Sequence, residues 1–375
     1  MKPHWLSPRL SFRLPGRRCL ARIGYLICCL ILLTACWPPA LPRVVKIGLI
    51  APFEGGERAI GYDAIYAARL AVRELNAAGG AAGWRLELVA YDDRGDPALA
   101  AVAARNLAAD PDVVAVIGHF RPESTIAGAS VLRQATPPLP LVAVDAWVTE
   151  PVALMPVPER LGMALVLAAG RGRATRIAIW GTGRVVDGVE SAISQYRYQG
   201  SRVVTPAQAE PLPNVIVSLL PAAETAGSLR LWRQAGWQGM LLGGSALTEA
   251  AFELLAGEVA THTLVVTPYP FPTDLPAAAE WIAAYQGVGP HVPAPGPYAL
   301  PAYEAVQVVA QAIATDVDAH GRPSRAGVAA ALPQVRRNGL LGRLTFNSAG
   351  WWHAAPLYRY AWQPDGFHLM PESTH

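Results

Sequence analysis

The stretch Val44-Val45-Lys46-Ile47-Gly48-Leu49-Ile50, closed by Ala51-Pro52, decides the fold. A short apolar run rich in β-branched residues and bounded by proline predicts a strand buried on both faces. The next segment puts Ile65, Ala68, Val72 and Leu75 on one face at helical spacing, and Asn76-Ala77-Ala78-Gly79-Gly80 ends it. Leu86 to Tyr91 predicts a second strand, after which Asp96-Pro97 supplies a helix cap and a proline at the first helical position. Val113 to Ile117 and Leu141 to Val144 predict two more strands, with a helix from about Ser124 to Gln134 between them. This alternation predicts an α/β fold with a mostly parallel sheet covered by helices on both faces.

A second series of the same kind begins at Arg176. Strands are predicted at 176–180, 215–219, 240–242 and 263–267, with helices between them such as 223–235. The proline-rich stretch Pro268 to Pro276 breaks the series. Helices follow at about 277–285, 299–315 and 324–332, then strands at 341–346 and 357–362. Two doubly wound units in one chain imply a cleft between them, and such folds bind ligands beyond the carboxyl ends of their strands.

The chain begins with a different kind of sequence. Six basic residues (Lys2, Arg9, Arg13, Arg17, Arg18, Arg22) and no acidic one precede the apolar run Ile23 to Leu33, and Leu33-Thr34-Ala35-Cys36 follows. This is the charged, apolar and small-residue pattern of an export signal. The apolar run is well short of the ~20 residues that cross a bilayer. The cysteine at the cut resembles that of a bacterial lipoprotein signal, which predicts a signal peptide over 1–35, lipidation of Cys36, a tether over 36–43 and an extracytoplasmic location at the membrane. Without residues 1–35 the formal charge of +3 becomes about −3, so the basic balance belongs to the leader and does not point to nucleic acid. All four cysteines (Cys19, Cys28, Cys29, Cys36) fall at or before the cut, so the body must be held by its apolar core and not by disulfides.

Catalytic and metal chemistry find little support in the residues. Asp92, Asp93 and Asp96 sit where a strand ends and a helix is capped, and capping explains them better than metal binding. The eight histidines include no pair at i, i+2 or i, i+4, so no metal site is expected. The run Ile177-Ala178-Ile179-Trp180-Gly181-Thr182-Gly183 would need a third glycine where Val186 stands to bind a dinucleotide. Gly243-Gly244-Ser245-Ala246-Leu247 lacks the second glycine of a nucleophile elbow. No cofactor is expected, and the chain does not read as an enzyme.

The body resembles the leucine-binding-protein family, solute-binding proteins of ABC transporters with the type I periplasmic-binding fold. The likeness rests on Lys46-Ile47-Gly48-Leu49-Ile50-Ala51-Pro52, on Ala71-Val72-Arg73-Glu74-Leu75-Asn76-Ala77-Ala78-Gly79-Gly80, and on Leu86 through Tyr91-Asp92-Asp93-Arg94-Gly95-Asp96-Pro97. Val114 through Gly118-His119, Gly296-Pro297-Tyr298, Ala302-Tyr303-Glu304-Ala305-Val306 and Gly342-Arg343-Leu344-Thr345-Phe346-Asn347 extend it. It implies a monomeric, membrane-anchored receptor that closes about a hinge on a small solute and delivers it to ABC permease subunits. Lobe 1 is expected over 44–157 and 268–355, and lobe 2 over 158–267 and 356–370. The competing readings are an extracytoplasmic ligand sensor without transport, and an exported amidase-like hydrolase using Asp92, Asp93 or Ser245.

The resemblance also implies where the ligand sits. The loop Phe120-Arg121-Pro122-Glu123-Ser124-Thr125 stands where amino-acid binders hold the ligand carboxylate, but Pro122 replaces the central serine and offers neither hydroxyl nor N–H. Ala146-Trp147 replaces a second loop, the expected acid falls at about Ser245, and Tyr298 keeps the pocket aromatic. Expected lining residues are Phe120, Arg121, Ser124, Trp147 and Tyr298 from lobe 1, with Glu224 and Ser245 from lobe 2. Trp147 and Tyr298 are expected to sandwich a flat group and Arg121 to pair with a carboxylate or phosphate. A carboxylated aromatic or amide-like solute fits this chemistry better than free leucine.

Overall fold

The computed structural model describes residues 43–146, 148, 151–171, 176–181, 184–196, 199–203 and 213–371. The predicted signal, Cys36 and the tether up to Pro42 lie outside the described residues, as does Trp147.

The opening apolar run forms β1 (Val44–Ala51), which pairs in parallel with β2 (Arg85–Asp92) on one side and β3 (Val113–Ile117) on the other. β4 (Leu141–Ala143) and β5 (Val152–Ala153) complete a five-stranded all-parallel sheet in the order β2-β1-β3-β4-β5. β3 is buried along its whole length, as an unbroken apolar run in a covered parallel sheet should be. The crossovers are α1 (Arg58–Ala77), α2 (Pro97–Ala109) and α3 (Pro122–Gln134). Asp96 caps α2 by accepting from the N–H groups of Ala98 and Leu99, with Pro97 at the first position, as the sequence predicts. Asp93 behaves differently. It is fully buried and bonds the ring of His119 at 2.7 Å.

The second sheet runs β14-β13-β10-β9-β8-β6-β7. Its parallel part comprises β6 (Arg176–Trp180), β7 (Gln199–Val203), β8 (Val215–Ser218), β9 (Met240–Gly243) and β10 (Thr263–Thr267). Helices α4 (Pro158–Arg171) and α5 (Arg184–Gln195) pack against one face through Leu165, Val186 and Val189, while α6 (Ala222–Gln234) and α7 (Ala250–Ala256) pack against the other through Leu229, Trp232 and Phe252. β11 (Arg336–Gly339) and β12 (Gly342–Thr345) pair only with each other. β13 (Tyr358–Gln363) joins β10 antiparallel and turns back as β14 (Gly366–Leu369), a hairpin that the alternating pattern does not foretell.

The two lobes have separate cores. The first core takes residues up to Met155 and then again from Tyr269 to Ala355, where α8 (Ala279–Gln286), α9 (Ala299–His320) and α10 (Arg325–Ala331) lie. The second takes Leu161 to Val266 and Tyr360. Among the described residues no helix is long and apolar enough to cross a membrane.

Candidate functional site

The carboxyl ends of both parallel sheets face a shared cavity of about 290 Å³. From the first lobe, the segments after β3 and β4 contribute Arg121 and Asp145; from the second, those after β8 and β9 contribute Leu219 and Ser245. Gly118 makes the sharp exit from β3 possible. Its φ is +119°, and a Cβ there would lie 2.1 Å from the carbonyl oxygen of Ile50.

Four side chains that meet beside this cavity share one structural feature: each belongs to the N-cap residue of a helix. Glu57 precedes α1, Arg121 precedes α3, Glu249 precedes α7 and Tyr298 precedes α9. The doubly wound topology brings helix starts and strand ends to the same edge of each lobe, so residues at that junction converge on the cleft. Partial positive charge at the helix starts suits the two carboxylates.

Arg121 is the hub. Its Nη1 and Nη2 donate to Oε1 and Oε2 of Glu249, each at 2.6 Å, and Nη2 also meets Glu57 Oε1 at 2.6 Å. The Arg121–Glu249 pair is bidentate, is buried, and joins the lobes. Burial works to lower the Arg121 pKa, but the charge of Glu249 and its hydrogen bonds outweigh burial and hold the guanidinium above its ordinary value. Burial pushes Glu249 up, against the pull of Arg121. The Tyr298 hydroxyl lies 2.8 Å from Asp145 Oδ2 and 3.3 Å from Glu249 Oε1. Burial raises Asp145 to about 7, while Tyr298 and Ser245 hydrogen-bond it and oppose the rise.

The expected site residues divide into distinct groups. Arg121 and Ser245 line the cavity; Ser245 Oγ also lies 3.0 Å from Thr267 Oγ1. Tyr298 reaches the site only by its hydroxyl. Its ring packs edge-on against Phe120 (centroids 6.1 Å apart) and at a tilt against Tyr269 (5.9 Å), so the Phe120 and Tyr298 rings serve the core of the first lobe and not a ligand sandwich. Ser124 is fully buried in the first turn of α3, and its Oγ has no partner among the described residues. Glu224 is exposed in the first turn of α6 and does not line the cavity. The acid that approaches from the second lobe is Glu249, four residues beyond the expected Ser245, because the short 3₁₀ turn Ser245–Thr248 intervenes before α7. The sequence reading missed Asp145, Glu57 and Glu249: Asp145 is marked only as a polar residue just after a strand, and Glu57 and Glu249 only by their place before a helix.

Most of the remaining wall is apolar, with Ile126, Val148, Met155 and Leu161 among its residues, and Glu123, Arg184 and Ser218 are its polar members. A larger recess of about 690 Å³ lies at the other end of β8, β9 and β10, bordered by Asn214, Trp237 and His262. It lies at the opposite strand ends from the charged groups of the cleft.

Comparison with known proteins agrees with this architecture. A stretch of 91 residues is 35% identical to an amino acid binding protein of Pseudomonas aeruginosa PAO1, covering 24% of this chain and only about a quarter (24%) of that relative's length. A leucine binding protein from Thermotoga maritima shares the fold with a TM-score of 0.74 at 19% identity, over 87% of this chain and 98% of that one. A solute binding protein of an ABC transporter from R. palustris, solved in complex with benzoate, superposes with a TM-score of 0.69 at 16% identity, over 87% and 95% of the two chains. The model of the periplasmic binding protein family matches residues 44–185 and 199–364. Two doubly wound lobes, a cleft at their strand ends and a family match across most of the chain give one conclusion: this chain belongs to the periplasmic binding protein family, with the type I fold.

Proposed function

We propose that this chain is the solute receptor of an ABC importer and that its cleft takes a small amphipathic solute carrying a carboxylate. The observation that carries this reading is the cavity itself: an apolar wall with a buried guanidinium, Arg121, at the junction of two lobes. A cavity of ~150 Å³ suffices for benzene, so about 290 Å³ leaves room for a ring and a short polar tail. The neighbours solved as a leucine binding protein and with benzoate support a ligand of this size. Ligand contacts to both lobes would favour the closed arrangement that a permease reads, by hinge motion between a lobe of 44–157 with 268–355 and a lobe of 158–267 with 356–370. In this reading the site binds and does not catalyse, with Ser245 held by Thr267 and Asp145 as part of the hydrogen-bond network of the cleft.

In the same reading the mature chain is a monomer held at the membrane by lipid on Cys36. Replacing Cys36 with Ala is expected to release it from the membrane fraction, and a variant that stays membrane-bound would overturn the lipid anchor. Thermal-shift screening of the released form against amino acids, aromatic acids, amides and short peptides tests the receptor. A ligand should raise the melting temperature; no shift with any solute class would overturn the reading.

A further inference from the structure

Around the Arg121 guanidinium stand three carboxyl groups, those of Glu57, Glu249 and Asp145, and the Tyr298 hydroxyl. With Arg121 itself, they come from the starts of α1, α3, α7 and α9 and from the segment after β4. Ser245 faces Asp145 from the second lobe, and the backbone N–H of Asp145 donates to the Tyr269 hydroxyl. The other charged residues on the cavity wall, Glu123 and Arg184, are exposed. One cation therefore serves three acids in a place largely closed to water.

The hydroxyl contacts add a second constraint. Tyr298 has one proton to donate, yet its oxygen lies within hydrogen-bond distance of both Asp145 and Glu249. Both contacts are favourable only when one of those carboxyl groups carries a proton of its own. An anionic ligand makes this demand greater. Nη1 keeps a second N–H and Nε has no partner among the described residues, so its carboxylate can crowd in beside Glu249 on Arg121 as well as replace it. The displaced or crowded acid then has no cation to pair with and cannot stay ionised in that setting.

We propose that the cleft binds monocarboxylates together with a proton, the ligand carboxylate joining or replacing Glu249 on Arg121 while the proton enters the Glu249–Asp145–Tyr298 cluster. This rests on the receptor reading above and fixes its ligand class: a monocarboxylate and one proton enter as a neutral pair, whereas a zwitterion brings its own cation and needs no proton. Burial raises Asp145 to about 7 and pushes Glu249 above its ordinary range, which suits the cluster to accept it.

The test is titration calorimetry with benzoate and 3-phenylpropionate as probes. Measured at pH 7.5 in buffers of different ionisation enthalpy, binding should take up about one proton per ligand. The Kd should rise up to tenfold per pH unit from pH 7 to 8.5, where the probes are ionised throughout. Glu249→Gln and, independently, Asp145→Asn remove one acid each, so proton uptake should fall by half or more and the pH dependence should flatten. Binding of either probe without proton uptake would overturn the proposal and leave the receptor standing. So would failure of both probes while a neutral or zwitterionic solute binds; failure of every solute class would overturn the receptor reading as well.

Discussion

Asp63 and Tyr298 lie 235 residues apart in sequence, and the Asp63 carboxyl group accepts the backbone N–H of Tyr298 at 3.2 Å. It also accepts that of Gly296 at 2.9 Å. A side chain of α1 thus fixes the turn that aims the Tyr298 hydroxyl at the cleft, which makes Asp63 a positioning residue for the site.

Burial raises Asp63 to about 7, although the two N–H groups pull it down. Its folded pKa lies above the unfolded value of ~3.9, so the folded state binds the proton more tightly. The contribution is fully present below about pH 4 and is lost as pH rises through about 7, by roughly 4 kcal/mol at 1.4 kcal/mol per unit. Asp145 adds to the same trend. Urea denaturation between pH 5 and 8 should show stability falling with pH, and Asp63→Asn should make the slope shallower. An unchanged slope in the variant would show that Asp63 does not titrate in this range.

Glycine substitutions separate packed from open helix positions. Gly128 in α3 faces His119, whose Nε2 lies 2.0 Å from where a Cβ would sit. The ring cannot yield, since it is fully buried and held by Asp93. Gly128→Ala should cost about 1–3 kcal/mol as overpacking. Gly227 in α6 meets nothing within 4 Å, so Gly227→Ala should gain about 0.5–1 kcal/mol through helix propensity. Equal effects in the two variants would contradict this reading of the His119 pocket.

The contrast between these positions shows where sequence reasoning reaches. Strand and helix periodicity placed β1, β3 and the cap at Asp96, because burial on two faces and capping leave local marks in composition. The cleft was harder to read. Arg121 and Ser245 were within reach as polar residues beyond strand ends, but Glu249 was hidden by a 3₁₀ turn that shifts the acid four residues along. Phe120 was expected to line the cleft and Tyr298 to stack on the ligand opposite Trp147, while the three-dimensional packing turns the rings of Phe120 and Tyr298 into each other. Contacts made across the cleft leave no periodic trace in either partner, and Arg121 meets Glu249 from 128 residues away.

Arg325 should prove as important for stability as any core residue. It begins α10, and its guanidinium donates to the carbonyls of Ala108, Asp110, Val113 and Pro137, tying the entry to β3 and the approach to β4. Only the five-donor fork of arginine fits four separate carbonyls. Arg325→Met leaves those acceptors without it and should cost about 2–4 kcal/mol. Arg325→Lys should recover only part of that loss. Full recovery in the lysine variant would mean that charge, not the fork, is what the site requires.

The Arg121–Glu249 pair should couple the lobes before any ligand arrives. Removing one partner of a buried pair costs about 3–5 kcal/mol, because the remaining charge keeps its desolvation penalty, whereas replacing both by apolar groups can be neutral. Arg121→Met strands Glu249 and Glu57 together and should be the more harmful single change. Glu249→Leu leaves Arg121 with Glu57 and should cost less. The double variant should be more stable than the sum of the single changes predicts, with a coupling of at least ~2 kcal/mol. Without its cross-cleft carboxylate or guanidinium, the ligand-free protein should also open, so each single variant should show a larger radius of gyration in solution scattering than the parent. Additive stabilities within ~0.5 kcal/mol, with unchanged scattering, would show that the pair neither closes the cleft nor contributes to folding.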